Sequence, residues 1–300
     1  MKREILMKKI FNNYHLLAGI HTISIKTPEP LIVPKVYQKV VTSVTHNSQE
    51  NPIYTSKLNL NKLTLDIYEY SYFQEQLQML LDSAGITEYQ IVRADFRFDM
   101  FEPDEYARFA KIHRYLISLL ATQYQVTNAY RTVNLFSQKQ LSVAIKNKYF
   151  ECENYDKAAE SNKSDAAAGR LEIRSKSLRT SDLQKVFMEE WFNRWDKSLS
   201  CIEEMSAKYN TELKKIYKEG KEKSLTGFRS LTDFLIQYES CIFSREQMVN
   251  LISLVDTSVR NPSKRVSNFK QKYGTDFYTE KDIKYVVNEI KRATAQYFSS

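Results

Sequence analysis

The sequence is poor in glycine, proline and cysteine, with six, six and three of them among 300 residues. So few glycines leave no phosphate-cradling loop. Neither GxxxxGKS/T nor GxGxxG occurs, which argues against a nucleotide-binding enzyme of either common type. Cys152, Cys201 and Cys241 stand alone, without CxxC spacing, so no zinc knuckle is read and a reducing cytoplasm is the expected setting. No apolar run approaches the roughly 18 residues that span a bilayer. The basic opening MKREILMKK has no adequate apolar stretch behind it, so neither an export signal nor a membrane partner is expected.

What is present is a composition suited to a folded, soluble chain, 42% hydrophobic and 27% charged. Lys and Arg outnumber Asp and Glu by 44 to 36, for a net charge of +8 and a pI near 9.1. That surplus favours a polyanionic partner. The length suits one large domain or two ordinary ones.

Periodicity supplies the elements. Residues 19–27 alternate apolar and polar as a strand does, and so do 62–70 and 91–99. Between the first two, 28–60 holds Pro28, Pro30 and Pro34 with much Asn, Ser and Thr, and reads as irregular. Phe73, Leu77, Leu80 and Leu81 keep helical spacing over 72–85. Phe109, Ile112, Leu116 and Leu119 do so over 102–124, whose first turn is acidic. Four strands follow at 130–136, 140–146, 148–157 and 169–178, with a small, polar loop at 158–168. From Thr180 the chain reads as helix, with Ser181 as N-cap, Gln184 completing a capping box, and Leu183, Val186, Phe187 and Trp191 on one stripe. Ser244 with Gln247 and Thr279 with Asp282 mark two more helix starts. The expectation is an α+β fold, a mainly antiparallel sheet with helices on one face, over residues 1–180, and a helical region over 181–300.

The chemistry lies in three short segments. Alternation puts Arg93, Asp95, Arg97 and Asp99 on one face of a strand and Ala94, Phe96 and Phe98 on the other. Glu151, Glu153, Tyr155 and Lys157 share a face, as do Arg170, Glu172 and Arg174. If these strands are neighbours, carboxylates, a phenol and several cations meet on one exposed sheet surface. Such a surface suits phosphodiester cleavage by a tyrosine. Carboxylates bind a hard cation such as Mg²⁺ or Mn²⁺, the metal polarises the phosphate, and guanidiniums orient it. Tyr155 needs help to ionise from a pKa of about 10, which the metal or Lys157 would give.

RxDxxxD on one strand, YDK in a hairpin and RxExR on the next strand resemble the rolling-circle replication initiators of Gram-positive plasmids and integrative elements. More distantly they resemble the gene II-type replication proteins of filamentous phages. The resemblance covers about residues 60–180. It implies an HUH-nickase-like domain in which Tyr155 attacks a DNA phosphate, leaving a 5′-phosphotyrosyl link and a free 3′-OH. It also implies Asp95 and Glu172 as metal ligands, Asp99 as a nearby carboxylate and Lys157 beside the cleaved phosphate. Origin DNA, single-stranded or supercoiled, is the implied partner, and a host helicase and a dimeric state stay open. The His-x-His pair common among such nickases is missing, since His15, His21, His46 and His113 are scattered. His21, on the first strand, is either a supplementary ligand or an ordinary sheet histidine.

Plainer readings stand beside these. RADFRFD and RLEIR also fit strands with solvated ion-pair ladders. Tyr155 is one of 20 tyrosines, in strands that favour aromatics. Cys152 reads as core. A conjugative relaxase would share the chemistry, and a non-catalytic nucleic-acid-binding initiator would share the charges. In the C-terminal third, Pro262 separates an amphipathic helix from a basic stretch with Lys264, Arg265, Lys270 and Lys272, Arg260 lying just before the proline. This resembles a helix-turn-helix in which these side chains meet phosphates. A charged helical face would read the same way. KKIYKEGKEK (214–223) mixes signs and reads as a solvated helix end.

Overall fold

The computed structural model describes residues 15–46, 53–63, 67–104, 142–146, 148–161, 167–202, 259–273 and 280–300, with scattered helical positions between 106 and 120 and between 245 and 253. The expected strand at 130–136, the cap at Ser244 and the run 214–223 lie outside the described residues. The strands are β1 (Leu17–Thr27), β2 (Val41–His46), β3 (Tyr54–Leu58), β4 (Gln90–Met100), β5 (Ser142–Lys146), β6 (Phe150–Asp156) and β7 (Gly169–Lys176). The helices are α1 (Tyr70–Ser83), α2 (Lys157–Ser161), α3 (Trp191–Ser200), α4 (Pro262–Tyr273) and α5 (Glu280–Ser299), with a π-helical turn at Lys185–Glu190 leading into α3.

The strands form one sheet in the order β2-β3-β1-β4-β7-β6-β5, and every pairing whose register is described is antiparallel. The fold is α+β, as the sequence predicts. Helices cover the apolar face. Phe96 stacks on Phe187 at 4.7 Å between centroids and meets Phe98 edge-on at 5.3 Å. Phe298, near the end of α5, lies 5.7 Å from Phe96 and 4.6 Å from Tyr70 of α1. Trp191 donates its indole N–H to Ser175 of β7 at 2.8 Å, so a buried polar group on this face is satisfied.

The structure corrects four expectations from the sequence. The stretch 28–60 contains the β2–β3 pair. Its residues are mostly polar because β2 is an outer strand, and only Ser56 and Leu58 of β3 are buried. At 62–70 no strand forms among the described residues, where Leu60–Lys62 is a 3₁₀ turn and α1 begins at Tyr70. The expected loop at 158–168 opens with α2, which starts at Lys157 and so removes that residue from the β6 strand face. The helical stretch after residue 180 is capped by Asp182, whose carboxylate accepts from the Lys185 N–H at 2.9 Å. Ser181 instead accepts from the Ile91 N–H, tying the helix start to β4.

The chain divides into two compact units. One comprises residues 1–108, 146–193 and 289–300, the other 109–145 and 194–288. The chain therefore passes from each unit into the other more than once. Among the described residues no helix is long and apolar enough to cross a membrane.

Candidate active site on the charged sheet face

Register decides which charges meet. Across β4, β7 and β6, Asp99 lies opposite Arg170 and Arg170 opposite Tyr155; Arg97 lies opposite Glu172 and Glu172 opposite Glu153; Asp95 lies opposite Arg174 and Arg174 opposite Glu151. The three predicted segments are thus neighbours on one face. Five cations (Arg93, Arg97, Arg170, Arg174, Lys176) share it with five carboxylates (Asp95, Asp99, Glu151, Glu153, Glu172), so the formal charges cancel. Alternation of sign lets the centre of this face be buried, where the sequence alone suggests an exposed one, while Arg93, Glu151, Glu153, Arg174 and Lys176 around it are half-buried. Asp95, Arg97, Asp99, Arg170 and Glu172 are each 3% exposed or less.

One end of the face is closed by ion pairs. Arg170 grips Asp99 with two parallel hydrogen bonds, 2.6 and 3.1 Å, while the Arg97 Nε lies 3.3 Å from the same carboxylate and the Tyr68 hydroxyl donates to it at 3.1 Å. The Arg97 guanidinium lies 5.0 Å from the Tyr68 ring centroid. Tyr68 reaches this place because Gly19 leaves room for the Ile67 backbone. A Cβ at Gly19 would stand 2.5 Å from the Ile67 carbonyl oxygen.

The other end gathers groups that exchange protons. Tyr155 donates its hydroxyl to Glu172 Oε2 at 3.0 Å. His21 Nδ1 lies 3.3 Å from Glu172 Oε1, which also accepts from Arg174 Nε at 3.1 Å. An ionised carboxylate only accepts, so a hydrogen bond between the two requires a proton on His21 Nδ1. Burial alone would raise the Glu172 pKa, but His21 and Arg174 together hold it well below the usual carboxylate range. Tyr155 is pushed above the usual tyrosine range by burial and then by the adjacent Glu172 charge, with Arg170 opposing. Glu153 is also raised, by burial first and by Glu172 and Glu151, against the pull of Arg174. Arg174 joins this end together, pairing with Glu151, with Glu153 at 2.9 Å and with Glu172.

A β-bulge brings His21 here. Ile20 pairs with Phe96 and Thr22 with Asp95, leaving His21 as an extra residue between adjacent partners. His21 and Thr22 therefore both serve the charged face, Thr22 donating to Asp95 Oδ2 at 2.5 Å. The bulge has a signature in the sequence. The buried apolar residues of β1 fall at 18 and 20, then at 23 and 25, a shift of phase that simple alternation overlooks.

The remaining expected site residues fall as follows. Arg93 is partly exposed and grips Asp95 through 2.7 and 3.1 Å hydrogen bonds. Lys157, at the head of α2, pairs with Glu160 and stands 5.8 Å from the Tyr155 ring centroid. Arg260, Lys264 and Arg265 are exposed in or just before α4, where Asn261 caps the helix by accepting from the Lys264 N–H at 3.0 Å. Lys270 and Lys272 fall within α4. Thr22, Asn61 and Tyr68 belong to no sequence motif that would mark them.

For a divalent cation such as Mg²⁺ or Mn²⁺ the residues as placed do not form a ligand set. All six oxygens of Asp95, Asp99 and Glu172 already accept from arginine, tyrosine, threonine or histidine. Among the described residues no three His, Cys, Asp or Glu side chains are disposed to hold a metal ion.

No known protein family matches the chain, and no curated protein does. Among solved structures, the rolling circle replication initiator protein from Geobacillus stearothermophilus is similar at 11% identity over 55% of this chain and 76% of that one, with a TM-score of 0.28. A likeness of that size fixes no activity.

Proposed function

We propose that this chain nicks and rejoins DNA, with Tyr155 as the nucleophile and Glu172 as the base that takes its proton, and that it does so to initiate rolling-circle replication at an origin. The observation that carries the reading is the 3.0 Å hydrogen bond from the Tyr155 hydroxyl to Glu172, in a group that also holds His21 and Arg174. Nucleophile, base and orienting partners within hydrogen-bond reach are the arrangement that covalent catalysis requires.

In the resting state the proton stays on Tyr155, because the phenol is shifted up and Glu172 down. Proton transfer therefore accompanies attack rather than preceding it. An incoming phosphate competes with the carboxylates for Arg174. As Glu172 loses that partner its basicity rises, and it takes the phenolic proton while Tyr155 Oη bonds to phosphorus. The P–O3′ bond breaks and the 3′ oxygen receives the proton from Glu172, so the step leaves a 5′-phosphotyrosyl link, a 3′-OH and an ionised Glu172. Rejoining is the reverse.

Tyr155→Phe tests this. The variant is expected to form no covalent adduct with a labelled origin oligonucleotide and to leave supercoiled plasmid intact, while binding DNA nearly as before. Normal nicking by that variant would sink the assignment.

A further inference from the structure

Asn61 lies in the 3₁₀ turn before the segment that crosses Gly19, and every polar atom of its side chain is engaged. Its amide nitrogen donates to the Ile20 and His21 carbonyls, both at 3.0 Å, and stands 3.2 Å from Asn59 Oδ1. Its oxygen accepts from Arg97 at 3.1 Å and from the Ile67 N–H at 2.9 Å. The two carbonyls it holds belong to the two peptides on either side of His21, the extra residue of the bulge. A bulge takes these groups out of the regular ladder, and a partner outside the ladder must then satisfy them.

We propose that Asn61 is a positioning residue for the site: it clamps the β1 bulge, and so fixes His21 against Glu172 and Thr22 against Asp95. The amide group grips the bulge, while the carbonyl oxygen ties that grip to Arg97 and to the Ile67 backbone over Gly19. No other amino acid of this size offers both donors and an acceptor in one plane. The catalytic part of the proposal rests on the Tyr155–Glu172 reading above; the geometric part does not.

Asn61→Asp separates the two halves of the side chain, because it keeps the acceptor for Arg97 and Ile67 but loses both donors to the bulge. The expected result is a loss of nicking on the order of 10- to 100-fold in kcat with KM nearly unchanged, since small misplacements at a reacting centre cost that much. Imidazole nitrogen NMR, with His21 assigned through His21→Gln, should show His21 protonated at Nδ1 in the parent and its tautomers mixed in Asn61→Asp. Asn61→Gln, which keeps both groups but displaces them by one methylene, should lose less of both. Unchanged kcat and an unchanged His21 signal in Asn61→Asp would overturn the proposal, and so would lost activity with an unaltered His21 signal. Should Asn61→Asp not fold, the parent and Asn61→Gln still decide, because a parent His21 without a fixed Nδ1 proton contradicts the clamp. A parent protein that nicks nothing defeats the catalytic reading alone, and the His21 signal then judges Asn61 by itself.

Discussion

Asp99 and Glu172 are both carboxylates buried on the same sheet face, yet they have different company. Asp99 is held by two guanidiniums and one phenol, and Arg170 grips it through a bidentate pair. Glu172 has one guanidinium, an imidazole and the phenol of Tyr155. Arginine does not give up its proton in proteins, so two of the three partners of Asp99 are fixed charges. Of the partners of Glu172 only Arg174 is a fixed charge, and an imidazole stands where Asp99 has its second guanidinium. On the proposed reading the first carboxylate serves the fold and the second serves the chemistry.

Substitutions at the two positions should therefore fail in different ways. Glu172→Gln preserves shape and removes the base, so the nicking rate should fall on the order of 10²- to 10⁴-fold while the urea midpoint moves little by comparison. If nicking survives, the division of roles is wrong. Asp99→Ala leaves two guanidiniums buried without their partner and should cost about 3–5 kcal/mol of stability, read by urea denaturation. A stable Asp99→Ala with lost activity would reverse the comparison.

Titration gives a subtler contrast. Because the Tyr155 pKa is raised in the folded state, its contribution to stability is complete below the ordinary tyrosine range and is lost as pH rises through and beyond it. The Glu172 pKa is lowered, so its contribution is complete above the ordinary carboxylate range and is lost as pH falls below it. The difference in tyrosinate absorbance between parent and Tyr155→Phe should stay flat through the ordinary tyrosine range while the protein is folded. The smallest effect belongs to charges with no part in the network. Replacing exposed Lys264 or Arg265 by Ala should leave nicking chemistry unchanged and reduce the salt dependence of DNA binding by about one counterion for each phosphate that is no longer neutralised.

Much of this face was legible in the sequence because side-chain alternation in β4, β6 and β7 is strict. RADFRFD, FECENY and RLEIR each sort their charges and apolar groups without a break, and antiparallel pairing then brings those charges together. Three things were not legible. The sequence shows that charges share a face but not that they neutralise one another, so it suggests an exposed surface where one with a buried centre forms. The phase of β1 changes at His21, which periodicity over a whole strand averages away. Asn61 acts through its amide on backbone carbonyls 40 and 41 residues distant, and such partners leave no local pattern.

The bulge also makes His21 expendable to the sheet. Its neighbours Ile20 and Thr22 already face consecutive residues of β4, Phe96 and Asp95, on opposite sides of the strand. Excising the one residue between them would leave Ile20 and Thr22 adjacent, still opposite Phe96 and Asp95 and each on its present face, with the second register shift between Ser24 and Ile25 untouched. A single-codon deletion in the middle of a central strand would normally turn half of it inside out. Here it would remove one of two irregularities in the β1–β4 pair, and with it the imidazole and one of the two carbonyls that Asn61 holds. Position 21 is thus a supernumerary residue: one more than β4 has a partner for, and the one whose side chain reaches across β4 to Glu172 of β7.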